Sequence, residues 1–226
     1  MNKNSNLIIA IDGPSGAGKT TLGRLLAREL KLLYLDTGSM YRAVALAVLE
    51  AGIDPKNVDS IGHLANSVDI DLTGDADNLR VLLNGKDVTE KIRSEKVTNM
   101  SSLVSTIPAV RRAMVERQRE LGRRGAVLNG RDIGTVVFPT ADMKFFLTAN
   151  ADERAQRRFL EEQAQHGEAS FAETLAEMTE RDRRDSTRGD SPLKIADDAI
   201  VIDSSGLSIE QVFKRMMDEI EKLAAR

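Results

Sequence analysis

The apolar run Leu7-Ile8-Ile9-Ala10-Ile11 closes on Asp12 and leads straight into Gly13-Pro14-Ser15-Gly16-Ala17-Gly18-Lys19-Thr20. That octet fits G-x-x-x-x-G-K-[ST] at every required position, and it constrains the chain more than any other feature. A continuous apolar run without alternation reads as a strand buried on both faces, as in parallel sheets. After the turn, Leu22, Leu25, Leu26 and Leu30 recur at helical spacing. Buried strand, glycine-rich turn and amphipathic helix in that order make a phosphate-binding loop, or P-loop. Glycines let the backbone wrap phosphates with consecutive N–H groups pointing inward, and the helix dipole adds positive potential. Lys19 is expected to span the β- and γ-phosphates of a nucleoside triphosphate cradled by Gly13 to Thr21. The hydroxyl of Thr20 or Thr21 is expected to meet the Mg²⁺ that accompanies it.

The rest of the chain repeats the alternation. Leu32–Leu35 reads as a second strand, and Tyr41–Ala51 as a helix stopped by Gly52. Ala126–Leu128, Met143–Leu147 and Ala199–Ile202 read as three more core strands. Between them, Pro108–Arg124 carries an apolar stripe, Asp152–Gln165 precedes Gly167, and a helix runs to about Arg184. Ser170-Phe171-Ala172-Glu173 and Ser208-Ile209-Glu210-Gln211 have the spacing of capping boxes at two helix starts. The expected fold class is α/β, a three-layer P-loop fold around a five-stranded parallel sheet. Residues 63–102 break the pattern. There Val68–Leu72 and Leu79–Leu83 flank Gly74–Asn78, and Asn84-Gly85 makes a further turn, so a small antiparallel hairpin insert is predicted.

Composition narrows what such a chain binds. Of 226 residues, 32 are Lys or Arg and 35 Asp or Glu, a formal charge of −3, so no broad basic footprint offers itself to nucleic acid or an anionic membrane. Anions must be held by local positive clusters. The absence of cysteine excludes disulfides, thiolate catalysis and cysteine-ligated zinc, and two histidines, His63 and His166, exclude a histidine-rich metal site. The run Leu7–Ile11 is too brief for a signal peptide or membrane span. A soluble, cytoplasmic, monomeric single-domain protein is expected.

A P-loop does not name a reaction. Asn84-Gly85-Lys86-Asp87 has the wrong order for the base-reading N-K-x-D of a GTPase, and it lies in the insert. Ala126-Val127-Leu128 ends in Asn129 rather than an acid, which argues against a motor ATPase. In an open α/β sheet, ligands bind beyond the carboxyl ends of the strands. The second strand ends in Asp36-Thr37-Gly38-Ser39-Met40-Tyr41-Arg42, and the third in Asn129-Gly130-Arg131-Asp132-Ile133-Gly134-Thr135. Arg42 and Arg131 are thereby aimed at the site that Lys19 approaches. Arg111 sits on the next helix, and Arg181, Asp185 and Arg188 follow the capped helix. The pattern points to a small kinase with an anionic acceptor.

Four motifs, G-P-S-G-A-G-K, D-T-G-S-M-Y-R, G-R-D-I-G-T-V-V-F-P and R-D-x-R-D-x-x-R, occur here in the order seen in bacterial cytidylate kinases. The chain resembles that family from about Leu7 to Lys222, hairpin insert included. The resemblance implies transfer of the γ-phosphate of ATP to CMP or dCMP, with Mg²⁺. It makes residues 63–102 an arm that binds the nucleoside monophosphate and residues 152–168 a lid. It implies Thr37, Arg42, Arg131 and Arg188 around the acceptor phosphate, Ser102, Arg111 and Asp132 on cytosine, and Arg181 with Asp185 near the ribose. In the lid, Arg154, Arg157 and Arg158 are implied over ATP, with Arg157 on the nucleotide and Arg158 catalytic beside Lys19, Arg131 and Arg188. Two positions depart from the family pattern. Asn129 stands where an acid is frequent, and Thr20 where glycine is common. The alternatives at this level are a kinase for UMP, AMP or a shikimate-like alcohol, and a nucleotide-gated binding module without turnover.

Overall fold

The structure, a computed structural model, describes residues 6–166 and 170–224. Five parallel strands, β1 (Ile8–Asp12), β2 (Leu33–Asp36), β6 (Ala126–Asn129), β7 (Met143–Thr148) and β8 (Ile200–Asp203), form one sheet in the order β2-β6-β1-β7-β8. The sheet is buried on both faces. Ile9, Ile11, Val127, Phe145 and Leu147 pack with α1 (Lys19–Leu30) and α8 (Ile209–Ala224) on one side. Ala10, Leu35, Ala126 and Leu128 pack on the other with α2 (Thr37–Glu50) and α5 (Pro108–Gly122). This is the expected three-layer arrangement. Because consecutive residues of a strand serve opposite layers, its apolar runs do not alternate.

Element ends shift where side chains satisfy the backbone. Helix α2 begins at Thr37, four residues before the predicted start. The Ser39 hydroxyl donates to the Asp36 C=O at 2.6 Å, and the Thr37 hydroxyl to the Asn129 C=O at 2.7 Å, so a segment that reads as a loop is the first helical turn. The insert contains the predicted hairpin, as an antiparallel sheet of β3 (Ile70–Thr73), β4 (Arg80–Leu83) and β5 (Lys86–Asp87). Two helices that the turn signals did not suggest flank it, α3 (Val58–Ser67) and α4 (Glu95–Val104). Asn57 caps the first through the Ser60 N–H and Ser94 caps the second through the Val97 N–H. Ile61, Ile70, Leu72, Val81, Val97 and Val104 join the α2 side of the core, so the insert is continuous with the main hydrophobic interior.

The two expected capping boxes differ. At α8, Ser208 and Gln211 exchange the reciprocal pair of bonds. At α7 (Phe171–Thr187), Ser170 occupies the cap position without a side-chain bond. That helix end is held by packing against α6 (Ala151–His166), where the buried Thr174 hydroxyl donates to Glu162 at 2.7 Å. Gly167 and Glu168, predicted to end the preceding helix and the lid, lie outside the described residues. No helix among the described residues is long and apolar enough to cross a membrane.

Candidate active site

The phosphate loop joins β1 to α1 at the carboxyl end of the sheet. Gly13 has φ +146°, and a Cβ there would lie 2.0 Å from the carbonyl oxygen of Leu147, so only glycine lets the loop leave the strand this close to β7. No acidic residue lies in the first turn of α1, which leaves its N-terminal potential uncancelled. Lys19 is buried and donates to the Pro14 C=O at 2.5 Å. Burial, then the charges of Arg131 and Arg181, hold its pKa well below the ordinary lysine value. Several cations thus crowd one spot, offset in part by Asp182, Asp12 and Asp185, an electrostatic setting suited to receiving phosphates.

Thr20 and Thr21 are both exposed at the start of α1, but Thr20 is the one that meets Asn129, whose amide Nδ2 lies 3.3 Å from its Oγ1. The Asn129 Oδ1 is buried without a hydrogen-bond partner. A hydroxyl beside an orphaned acceptor at the end of β6 suits a hydrated divalent cation carried in with the nucleotide. The two departures from the family pattern are therefore in contact with each other.

In the turn after β6, Asp132 forms a buried ion pair with Arg111 of α5. Arg188 reaches the second carboxylate oxygen of Asp132 at 3.6 Å and Asp185 at 3.4 Å, while Arg131 donates to Asp185 at 2.8 Å. Burial opposes ionisation of Asp185, yet Arg131, Arg181 and Arg188 hold it below the usual carboxylate range. Burial and neighbouring Arg131 pull Arg181 down to about 10. Arg42 pairs with Asp36 at 3.1 Å. Gly130 explains the spacing of the G-R-D-I-G turn, since a Cβ there would lie 2.7 Å from the Ile133 side chain and 2.9 Å from the Thr37 hydroxyl oxygen. The structure therefore gathers Lys19, Arg131, Asp132, Arg181, Asp185, Arg188 and Arg111 into one network.

Other expected residues stand apart from it. Arg158 pairs with Glu161 and Glu162 on its own helix, and Arg157 donates to the Ser204 hydroxyl and C=O beyond β8. Arg154 does reach the phosphate loop. It donates to the Ser15 C=O at 2.8 Å and pairs with Asp182, whose other oxygen accepts the Ser15 N–H at 3.0 Å. Ser102, on α4, accepts from Arg184 at 3.0 Å. Sequence reasoning passed over Asp12, Asp182 and Arg184. The last two lie inside the R-D-x-R-D-x-x-R run, so their motif was visible, but which side chains turn inward was not. Tyr41 was missed as well, and Arg111 stacks over its ring at 5.6 Å.

The profile of the cytidylate kinase family matches residues 9–222. The chain belongs to the cytidylate kinase family. A cytidylate kinase from Citrifermentans bemidjiense is 46% identical over 225 residues, covering 99% of this chain and 97% of its own. One from Geobacter sulfurreducens is 49% identical over 211 residues, 93% of this chain and 91% of that protein. Among solved structures, an uncharacterised protein from Eubacterium ventriosum superposes with a TM-score of 0.52 at 13% identity, covering 96% of this chain and 99% of that one. That likeness is one of fold. Family membership agrees with the motif resemblance and covers the hairpin insert as well as the P-loop core.

Proposed function

We propose that this chain transfers the γ-phosphoryl group of ATP to the phosphate of CMP or dCMP, giving ADP and CDP or dCDP. The observation that carries the reading is the buried Asp132–Arg111 pair set beside the cation cluster that faces Lys19. Cytosine offers an N4 amino donor beside the N3 and O2 acceptors, and a carboxylate next to guanidinium and hydroxyl donors is the complementary set. Asp132 accepts from N4, while Arg111 and Ser102 donate to the ring acceptors. Thr37, Arg42, Arg131 and Arg188 hold the acceptor phosphate, and Arg181 with Asp185 takes the ribose.

Transfer forms a bond between an acceptor phosphate oxygen and the γ-phosphorus and breaks the bond from that phosphorus to the β–γ bridging oxygen, which leaves with ADP. The acceptor is already anionic at neutral pH, so no general base is required. The work of the protein is in-line placement and cancellation of charge on the equatorial oxygens. Lys19, Arg131 and Arg188 do this, with planar guanidinium forks suited to bidentate phosphate contact. Arg157 and Arg158 join the nucleotide when the lid (152–168) and the arm (63–102) close and exclude water. Thr20, with Asn129 beside it, would hold the Mg²⁺ that accompanies ATP, and that ion would supply further charge neutralisation. The test is ATP-dependent diphosphate formation measured across CMP, dCMP, UMP, AMP and GMP. Highest kcat/KM with a purine nucleotide or UMP would overturn the assignment.

A further inference from the structure

Asp12, the last residue of β1, is buried, with 5% of the residue exposed, and its side chain accepts two backbone N–H groups, from Ile133 at 2.9 Å and Gly134 at 2.8 Å. One residue earlier, the C=O of Ile11 accepts the Gly130 N–H at 3.0 Å. The end of β1 thus grips the turn after β6 on both sides of Arg131 and Asp132, the residues on that turn assigned to the acceptor. In the other direction Asp12 is bonded to Gly13, where the phosphate loop begins. One residue ties the donor loop to the acceptor turn.

Burying the carboxylate works against stability, whereas the two N–H bonds oppose that cost. Burial pushes the Asp12 carboxyl up to about 6 from an ordinary 3.8, outweighing the two N–H bonds that lower it. The charged groups facing it are Asp132 on the turn, which adds to the rise, and Lys19 on α1, which opposes it; the Lys144 stem on β7 packs beside Gly134, but its ammonium pairs with Asp198. Between about pH 4 and 6 the folded chain binds a proton that the unfolded chain has lost, so stability falls as pH rises through that window. At neutral pH the ionised carboxylate therefore weighs against the folded state. The carboxylate offers one oxygen to each of two backbone N–H donors, which a neutral amide of the same shape cannot do, so its presence is explained by the geometry it imposes.

We propose that Asp12 is a positioning residue that holds the Arg131–Asp132 turn at transfer distance from the phosphate loop. The identity of the acceptor rests on the CMP reading above; the grip does not. Asparagine at this place has one acceptor oxygen for two N–H donors, and its own NH₂ opposes the other, so the turn loosens at Ile133 or Gly134. Misplacement of reacting groups by about 1 Å can cost roughly a hundredfold in rate.

The experiment compares Asp12→Asn with the wild type by steady-state kinetics, ATP binding, thermal melting and amide hydrogen exchange. A fall of about tenfold or more in kcat/KM for CMP is expected, with the Kd for ATP held within about twofold. The Ile133 and Gly134 amides exchange about tenfold faster or more. Wild-type kinetics with CMP would overturn the proposal. So would an equal loss of ATP and CMP affinity with a lowered midpoint, or failure of the variant to fold, since either makes Asp12 a general structural residue. If the wild type favours an acceptor other than CMP, the functional reading fails. Exchange at the two amides and kinetics with the favoured acceptor then still decide the role of Asp12.

Discussion

Removing the Asp132 carboxylate tests base selection and fold energetics together. Asp132 neutralises Arg111, whose side chain is 2% exposed, and faces Arg188, whose side chain is 4% exposed. Asp132→Ala leaves both guanidinium groups buried with less compensation, a loss of about 3–5 kcal/mol for breaking a buried pair. For a chain of this size each kcal/mol moves the melting midpoint by about 2–4 °C, so a fall of roughly 6–20 °C is expected. Asp132→Asn keeps the shape and one acceptor, so the fall should be smaller. On specificity the two variants separate further. In the wild type, uracil would set its O4 against the carboxylate, and opposing two acceptors costs about 1–3 kcal/mol. The wild type should therefore favour CMP over UMP by about tenfold or more in kcat/KM. Asparagine can turn its NH₂ toward O4 while losing an acceptor for N4, so in Asp132→Asn that preference should shrink by about tenfold or more. The assay is a coupled measurement of ADP release with CMP and UMP, run well below both melting midpoints. An unchanged CMP/UMP ratio in both variants would remove Asp132 from the base. An unchanged midpoint in Asp132→Ala would refute the ion-pair reasoning.

Lys19→Met should lower turnover by about a hundredfold or more, the cost of losing one transition-state contact to shifting charge. Its melting midpoint should hold or rise, because burial, Arg131 and Arg181 already disfavour the Lys19 cation in the folded protein. Turnover above about a tenth of wild type would show that the loop does not act on phosphates. Arg42→Ala should reduce kcat/KM for CMP and UMP by the same factor, since the phosphate is common to both; a changed ratio would take Arg42 off the phosphate. CMP and ATP together should slow hydrogen exchange across residues 42–102 and 154–166, whereas protection confined to the phosphate loop would rule out closure of arm and lid.

The sequence alone determined the P-loop, the parallel sheet and the family, because these depend on local order. An unalternating apolar run, a turn that only glycines can make and a helical stripe leave one arrangement in which strand, loop and helix bury their apolar faces. It also marked the motifs at the strand ends, since a polar segment after a buried strand must lie at the sheet's mouth. Helices α3 and α4 were less legible: their capping residues, Asn57 and Ser94, were present, but hairpin signals between them dominated the reading. Inward and outward arginines could not be told apart either. On α6, Arg154 turns to the Ser15 backbone while Arg157 and Arg158 engage Ser204, Glu161 and Glu162, and helical spacing alone does not choose among them. Asp12 shows the same limit most clearly. As sequence it is the acid that closes an apolar run, but its two N–H donors lie 121 and 122 residues away. They meet it only because β6 pairs beside β1 and delivers the turn over its end, a juxtaposition that long-range strand pairing creates and no local pattern encodes.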